Sequence, residues 1–162
     1  MRLFSTLASV AIAISALIFI AGCAGMLKGQ APADLGLQNG GKLKPPSKTD
    51  NSVSSQADWY PDHPQRSYSQ IAPLAYSGDG TAAMARLASV VEALPRTVIV
   101  TRQPGYLYAQ CSTRMLGFTD DVEFALDTTA SVIHVRSASR IGRKDFGVNR
   151  QRVEQIRAAF KG

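Results

Sequence analysis

The sequence predicts an α+β domain in which a four-stranded antiparallel sheet is covered on one face by two helices. Two observations carry this prediction: apolar residues recur at helical spacing in two stretches, and four β-rich runs lie between those stretches in two turn-linked pairs. A sheet with one apolar face needs a cover, and two amphipathic helices supply it. At 162 residues, the chain is long enough for one such domain.

Two helices are predicted from apolar residues that share one face. The first spans 81–94 and ends before Pro95, and the second begins near Asn149. We expect both to pack on the same face of the sheet. The residues that define their apolar faces are Met84, Leu87, Val91 and Leu94 in the first helix and Val153, Ile156 and Phe160 in the second.

Two β-hairpins are predicted between the helices. The first, RTVIVTRQPGYLYAQCST, turns at Pro104-Gly105, a pair suited to the central positions of a type II turn. The second, FTDDVEFALDTTASVIHVRSASR, turns over 128–131. The order of elements in the domain is therefore α-β-β-β-β-α.

The register of the second hairpin pairs acidic with basic residues. Alternation places Phe124 opposite Val135 on the covered face and Glu123 opposite Arg136 on the outer face. We expect the outer pair to be exposed to solvent and to stabilise the fold by only about 0.2 to 1 kcal/mol. On this interpretation, the acid-then-base pattern of the hairpin needs no ligand.

The N-terminal residues predict a secretory leader. Leu3 to Gly22 carries no charge, and Arg2 precedes it. The end of this run, Ile20-Ala21-Gly22-Cys23, resembles the lipobox of bacterial lipoproteins, in which the leader is removed and the cysteine is acylated. We therefore predict a signal peptide over residues 1–22 and lipidation of Cys23; an uncleaved transmembrane helix over residues 3–22 is the alternative.

The predicted subcellular location is the cell envelope. Several acyl chains on Cys23 would make membrane attachment effectively permanent. Residue 24 is alanine rather than aspartate, which by resemblance to sorted lipoproteins favours the outer membrane, facing the periplasm. With Cys23 acylated, Cys111 has no partner for a disulfide, and its alternation with Leu107 and Ala109 predicts a small core residue.

Between the leader and the predicted domain lie two segments of different composition. Residues 24–56 contain no aromatic residue and are rich in Gly, Pro, Ser, Asn and Lys, so we expect residues 23–56 to be a lipidated cysteine and a flexible linker. Residues 57–76 contain several aromatic residues and prolines, which favour an extended strap with its rings buried and a short strand near 69–74. The single folded domain is thus predicted over residues 57–162.

The cross-strand charge pairs of the second hairpin do not account for Asp120. It shares parity with Val122 and Phe124, so its carboxylate should point to the covered side and needs a partner there. Ser137 and Ser139 point to the same side. Two interpretations remain open: the carboxylate holds the loop over 142–149, with Asn149 or Arg150 nearby, or Asp120, Arg140 and Arg150 form a polar pocket for a ligand.

Three stretches resemble the bacterial and plastid family known as domain of unknown function 1499: NSVSSQ, GFTDDVEFALD and, above all, VIHVRSASRIGRKDFGVNRQRVEQIR. The resemblance runs from about Pro46 to the C-terminus and implies no established activity. Ser52 and Gln110 depart from it, since members commonly have a cysteine and an acidic residue there. The family pattern recurs at Asn51, Ser54, Ser55, Gln56, Asp120, Asp121, Glu123, Arg136, Ser137, Ser139, Arg140, Asp145, Asn149 and Arg150.

The charge distribution favours an anionic partner. Residues 131–162 carry eight Lys or Arg against two acidic residues, a net charge of +6, whereas residues 23–130 carry nine basic against ten acidic residues, a net charge of −1. Because this basic segment lacks interleaved aromatic residues and the lipobox predicts a location outside the cytoplasm, nucleic acid is not expected. We expect the partner to be an anionic lipid, a glycan or an acidic protein.

The residue inventory predicts no metal site, cofactor or recognisable catalytic motif. His63 and His134 are the only histidines, Ser54 and Ser55 have no evident base, and no glycine-rich phosphate loop is present. The favoured hypothesis is a non-enzymatic envelope module that binds an anionic ligand through its arginines; a hydrolase or transferase using Asp120 or Asp121 with an arginine clamp is the alternative. The candidate ligand-binding residues are Asp120, Arg136, Ser137, Ser139, Arg140, Asn149 and Arg150.

Overall fold

The computed structural model describes residues 2–161 and, within them, the side chains of all but residues 2–6 and 8. Met1 and Gly162, the outer ends of the predicted leader and domain, lie outside the described residues. The helices and strands, in chain order, are α1 (Arg2–Cys23), β1 (Ser52–Ser54), α2 (Arg66–Ser69), β2 (Leu74–Ala75), α3 (Gly80–Glu92), β3 (Thr97–Gln103), β4 (Tyr106–Ser112), β5 (Thr119–Asp127), β6 (Val132–Ser139) and α4 (Val148–Phe160). Among the residues searched, no helix meets the length and apolarity that a membrane span requires.

The strands form one antiparallel sheet of six strands, so the α+β class is confirmed and the predicted number of strands is wrong. The order is β1-β6-β5-β4-β3, and β2 also pairs with β6. The two predicted hairpins supply β3 to β6, while β1 and β2 are short strands added along the outer edge of β6. Three-residue and two-residue strands are too short for alternation to reveal them.

The register of the second hairpin is the predicted one, whereas the pairing of β3 with β4 in the first hairpin shifts between Ile99 and Thr101. Phe124 faces Val135, and Glu123 faces Arg136. The first hairpin turns through Pro104-Gly105, where Gly105 adopts a φ of +76° that a residue with a side chain rarely adopts.

The inner face of the sheet packs against α3 and α4, as predicted. Leu87 of α3 and Ile156 of α4 are buried with Phe124 and Val135 of the sheet in one hydrophobic cluster. Cys111 belongs to the same cluster with 6% of its surface exposed, so its prediction as a core residue is confirmed, and burial raises the pKa of its thiol.

The outer face is covered by residues 34–45 rather than by solvent. Leu43 is fully buried there against Tyr106, Tyr108 and Ala125. Residues 51–54, 56 and 57 are buried as well, and β1 lies among them. Residues 42–56, which the sequence analysis assigned to a flexible linker, thus contain the buried Leu43, Pro46 and Gln56 and the paired strand β1.

The aromatic stretch differs in part from the predicted strap. It contains a 3-10 turn at Ala57–Trp59, the short helix α2, and β2 at Leu74–Ala75 instead of a strand near 69–74. Trp59 is 40% exposed rather than buried, and its ring meets the edge of the His134 ring.

Candidate functional site

Asn149, in the first turn of α4, is the centre of a buried hydrogen-bond network on the inner face. Its side-chain oxygen accepts hydrogen bonds from Ser137 Oγ at 2.6 Å and Arg152 Nη1 at 2.8 Å. Its side-chain nitrogen donates to Ser139 Oγ at 3.0 Å and to the Asn51 carbonyl at 3.1 Å. Asn149 has no exposed surface, so this network joins α4, β6 and the segment before β1 without water.

Asp145 holds the loop that leads into α4. Its carboxylate accepts hydrogen bonds from the backbone amides of Gly147 at 3.0 Å and Asn149 at 3.1 Å, and from Tyr68 Oη at 2.7 Å. Burial acts to raise the pKa of Asp145, but these hydrogen bonds outweigh it and the pKa lies below its ordinary value. Burial and the contact with Asp145 raise the pKa of Tyr68 to about 12.

Asp120 lies on the covered side, as its parity predicts, and its partner is Arg152. Arg152 Nη2 is 2.5 Å from Asp120 Oδ2, and Arg152 Nη1 also donates to Ser137 Oγ at 3.0 Å. Arg152 thus brings together Asp120, Ser137 and Asn149, three of the predicted site residues. It is the residue that the sequence analysis missed.

The predicted pocket of Asp120, Arg140 and Arg150 is not formed. Arg140 lies on the opposite face of the sheet, and Arg150 donates to the carbonyl oxygens of Tyr68 and Gln70 at the domain edge. The prediction started from the parity of Asp120 and added Arg140 and Arg150 from the chain after β6; in the structure Arg140 turns to the outer face and Arg150 turns to the domain edge.

Glu123 and Arg136 form the predicted cross-strand pair, but the pair is buried rather than exposed. Arg136 Nη1 lies 3.4 Å from Glu123 Oε2, and the exposed fractions of the two residues are 3% and 0%. Glu123 Oε1 accepts hydrogen bonds from Tyr106 Oη at 2.9 Å and from the Gly36 amide at 2.8 Å. The cover over residues 34–45 therefore supplies a direct contact to the pair, and burial lowers the pKa of Arg136.

Asp121 and Arg140 form the second buried pair of the outer face. Arg140 Nε and Nη2 donate to Asp121 at 3.0 and 2.7 Å, and Tyr108 Oη donates to Asp121 at 2.6 Å. The hydrogen bond to Asp121 raises the pKa of Arg140. Because Asp120 and Asp121 point to opposite faces of β5, the two carboxylates do not share one site.

A polar cleft of about 290 Å³ opens beside these outer pairs, and we call it the outer cleft. Besides its contact with Glu123, Arg136 donates from Nε to the Pro45 carbonyl at 3.3 Å, while its second terminal nitrogen bonds to no residue that the structure describes. Lys44 reaches the cleft and pairs with Asp34. The residues that line the outer cleft are Gln30, Pro32, Lys44, Ser47, Thr49, Asn51, Asp121, Arg136, Ala138, Ser139 and Arg140.

Ser55, His134 and Asp127 form a chain of contacts that the sequence analysis did not propose, since it considered only His63 as a base for Ser55. Ser55 Oγ lies 3.1 Å from His134 Nδ1, and Asp127 lies 3.7 Å from His134 Nε2. The Ser55 oxygen also accepts the Val135 amide at 2.9 Å. This bond ties the hydroxyl to the edge of β6, and the long contact to Asp127 gives His134 little orientation, so the arrangement joins β6 to the segment after β1.

The candidate residues thus divide between the two faces of the sheet. Asp120, Ser137 and Asn149 meet on the inner face, and Arg136 and Arg140 meet on the outer face. Ser139 contacts Asn149 and also lines the outer cleft.

The comparisons with known proteins extend this description. The model of the family described as a protein of unknown function (DUF1499) matches residues 42–160. The chain belongs to this family. The match begins before β1 and so includes Leu43 and both buried networks in the family domain. The comparison with curated proteins gives no match.

Proposed function

We propose that this chain is an envelope lipoprotein, held in the outer membrane through acylated Cys23, whose domain binds an anionic ligand or partner in the outer cleft without catalysing a reaction. Three observations support the binding role: the cleft is polar, it has two arginines and a lysine in its lining, and one terminal nitrogen of Arg136 borders it without a bond to any described residue. The lipobox supports the anchor.

The state of Arg136 is the observation on which the binding proposal depends. A buried guanidinium is expected to be fully paired, because each unpaired donor costs free energy. Arg136 is 3% exposed, its contact to Glu123 is long at 3.4 Å, and its second terminal nitrogen, which is not one of the fully buried unpaired atoms, keeps exposed surface at the cleft. An oxygen of a ligand in the outer cleft would complete this set of hydrogen bonds.

The lining of the outer cleft indicates the chemical class of the ligand. Lys44, Arg136 and Arg140 supply cationic donors, each already paired with one carboxylate (Asp34, Glu123 and Asp121), and Ser47 and Thr49 supply hydroxyl groups. Arginine and lysine together with hydroxyl donors suit a phosphate or a carboxylate. Such a group is carried by an anionic lipid, a glycan or an acidic protein.

Binding can be tested with inorganic phosphate and glycerol phosphate as probes, by isothermal titration of the full chain in detergent. Lys44→Ala is expected to weaken binding, because it removes a charge at the cleft and leaves the buried pairs in place. Lys48→Ala is the matched control, since Lys48 is exposed in the same segment and does not line the cleft. Equal binding by both variants, or none by the unmodified protein, would contradict the proposal.

The anchor can be tested separately by metabolic labelling with a clickable fatty acid. The unmodified chain is expected to incorporate the label and to fractionate with the outer membrane. Cys23→Ser is expected to lose both properties. Mass spectrometry that shows residues 1–22 still present and an unmodified Cys23 would reject the anchor and leave the cleft measurement to stand on its own.

A further inference from the structure

Exposed apolar side chains are concentrated at one end of the domain. Nine described residues after Cys23 expose a large apolar side chain. Five of them lie in or beside three short segments: residues 24–29, the loop over 113–118 and the loop over 140–147. These five are Met26 at 74%, Met115 at 70%, Ile141 at 40%, Phe146 at 93% and Val148 at 41% exposure. Apolar groups gathered in this way indicate a surface that meets another apolar phase.

The two loops lie at the same end of the sheet because they extend neighbouring strands. Asp120 at the start of β5 is paired with Ser139 at the end of β6. The Arg140 amide donates to the Thr119 carbonyl at 3.2 Å, which continues the pairing to the base of both loops. We call the surface formed by residues 113–118 and 140–147 the anchor-proximal end.

The predicted lipidation site lies beside this surface. A β-carbon at Gly22 would be 2.9 Å from the Leu116 carbonyl oxygen, and one at Gly29 would be 2.9 Å from side-chain atoms of Arg140 and Ile141. The chain from residue 22 to residue 29 therefore passes from the first loop to the second. Acyl chains on Cys23 would enter the bilayer next to both loops.

The anchor-proximal end also carries unneutralised positive charge. Arg114, Arg143 and Lys144 form no ion pair with any residue that the structure describes. Asp145 in the same loop is buried and committed to Tyr68 and the start of α4, and Asp50 is the acidic residue beside Lys144. Exposed cations beside exposed apolar side chains are the combination that binds an anionic membrane surface.

We propose that the anchor-proximal end rests on the bilayer that holds Cys23, with Met115 and Phe146 at the level of the acyl chains and Arg114, Arg143 and Lys144 at the lipid phosphates. The inference rests on the proposed acylation of Cys23. It adds an orientation: the helices face sideways, the outer cleft, which shares Arg140 with the anchor-proximal end, opens next to the membrane, and the turn over 128–131 points away from the membrane.

The proposal is tested by placing a fluorescent label at single cysteines in the full acylated protein. Phe146→Cys and Thr129→Cys provide matched exposed sites at the two ends of β6, while Cys111 is buried and Cys23 is blocked by its lipid. The labelled proteins are reconstituted in nanodiscs of phosphatidylethanolamine and phosphatidylglycerol that contain brominated lipid. Quenching is expected at position 146 and not at position 129.

A charge series tests the electrostatic part of the contact. Arg114→Gln, Arg143→Gln and Lys144→Gln are each expected to weaken the contact about fivefold, measured as the ratio of quenched to unquenched label. Replacing phosphatidylglycerol with phosphatidylethanolamine should also weaken the contact of the labelled protein that keeps all three cations.

The outcomes separate this inference from the proposed function. If mass spectrometry shows acylated Cys23 but positions 146 and 129 are quenched equally or not at all, the orientation is rejected and the anchor stands. Self-quenching between labels at position 146 would show contact with a second copy and would also reject it. If Cys23 carries no lipid, the anchor fails and the orientation fails with it.

Discussion

Behind the helices, the inner face of the sheet buries Asn149 and Ser137 in hydrogen bonds whose donors and acceptors match, whereas the outer face holds Arg136 beside a cleft, with one terminal nitrogen bonded to none of the described residues and not fully buried. Asn149, Ser137, Glu123 and Arg136 are all buried. The inner network joins three elements and fills its own space. The outer pairs lie under residues 34–45, which contact them through Gly36 and Pro45. The outer cleft lies between this segment and the sheet.

This contrast distinguishes a polar network that holds the fold from one that can receive a ligand. A saturated network stabilises because breaking it leaves unpaired groups in the interior. A buried ion pair contributes little net stability compared with apolar residues of the same size, so a chain that keeps one next to a cleft has another use for it. The contrast therefore supports a structural role for the inner network, and it agrees with the binding role proposed for the outer one.

The largest effect is expected from removing the Glu123 carboxylate. Glu123→Ala leaves the Arg136 charge unpaired in the interior and should lower the free energy of unfolding by about 3 to 5 kcal/mol, measured by urea denaturation. Glu123→Gln combined with Arg136→Met removes both charges and keeps an acceptor for Tyr106, so it should restore most of the loss while it abolishes phosphate binding. A double variant as unstable as the single one would assign the outer pair to the fold.

A smaller loss is expected from the inner network. Asn149→Ala removes the hydrogen bonds to Ser137 and Ser139 and leaves their hydroxyls without this partner, which should cost about 2 to 3 kcal/mol of unfolding free energy. Phosphate binding by the folded variant should fall less than in Lys44→Ala, because Asn149 itself does not line the outer cleft although its partners Asn51 and Ser139 do. Gln155→Ala, an exposed position on the same helix, serves as the control.

The pH dependence of stability provides the next measurement. Burial lowers the pKa of His134 below its ordinary value of 6.5, an effect that outweighs the Asp127 carboxylate. As the pH falls, His134 therefore takes up a proton in the unfolded chain before it does so in the folded chain. The stability that folding gains from a neutral His134 is complete above about pH 6.5 and declines below it, by at most about 1.4 kcal/mol per pH unit. His134→Gln should remove this component of the slope between pH 7 and 5, and His63→Gln should leave it.

The smallest effect on stability is expected at Lys44. Its ion pair with Asp34 involves a carboxylate side chain that is 61% exposed, so Lys44→Ala should change the free energy of unfolding by about 0 to 1 kcal/mol. The same variant should lose phosphate affinity. A thermal unfolding midpoint that falls as far as in Asn149→Ala would show that Lys44 supports the fold instead.

The parts of the fold that could be predicted are those with long, periodic patterns. The alternation of Phe124 and Val135 determines the register of β5 and β6, and the stripe of Val153 and Ile156 determines the inward face of α4. The cover of the outer face could not be predicted. It contains two leucines that pack on the sheet, Leu43 and Leu35, among polar and glycine residues, and it is followed by a strand of three residues, and neither feature has a period.

For the candidate site, the sequence predicts which face of the sheet a residue lies on but not which residue it bonds to. Parity places Asp120 on the inner side, but its partner depends on the rotation of α4, which carries Arg152 next to the buried Val153. The helical period contains this signal, since Arg152 borders the apolar stripe of α4. Nothing in the sequence indicates that Glu123 and Arg136 are buried, because that follows from a cover more than 80 residues away in the chain.

The position of β1 has a consequence for how the chain acquires its structure. Its residues 52–54 pair with residues 136–138, so this ladder closes a loop that contains the rest of the sheet. Closing so long a loop costs more conformational entropy than forming either hairpin, and contacts of this sequence separation form slowly. The hairpins are expected to form first and the N-terminal segment to dock last, which means that the charged interior stays open to water until the final step of folding.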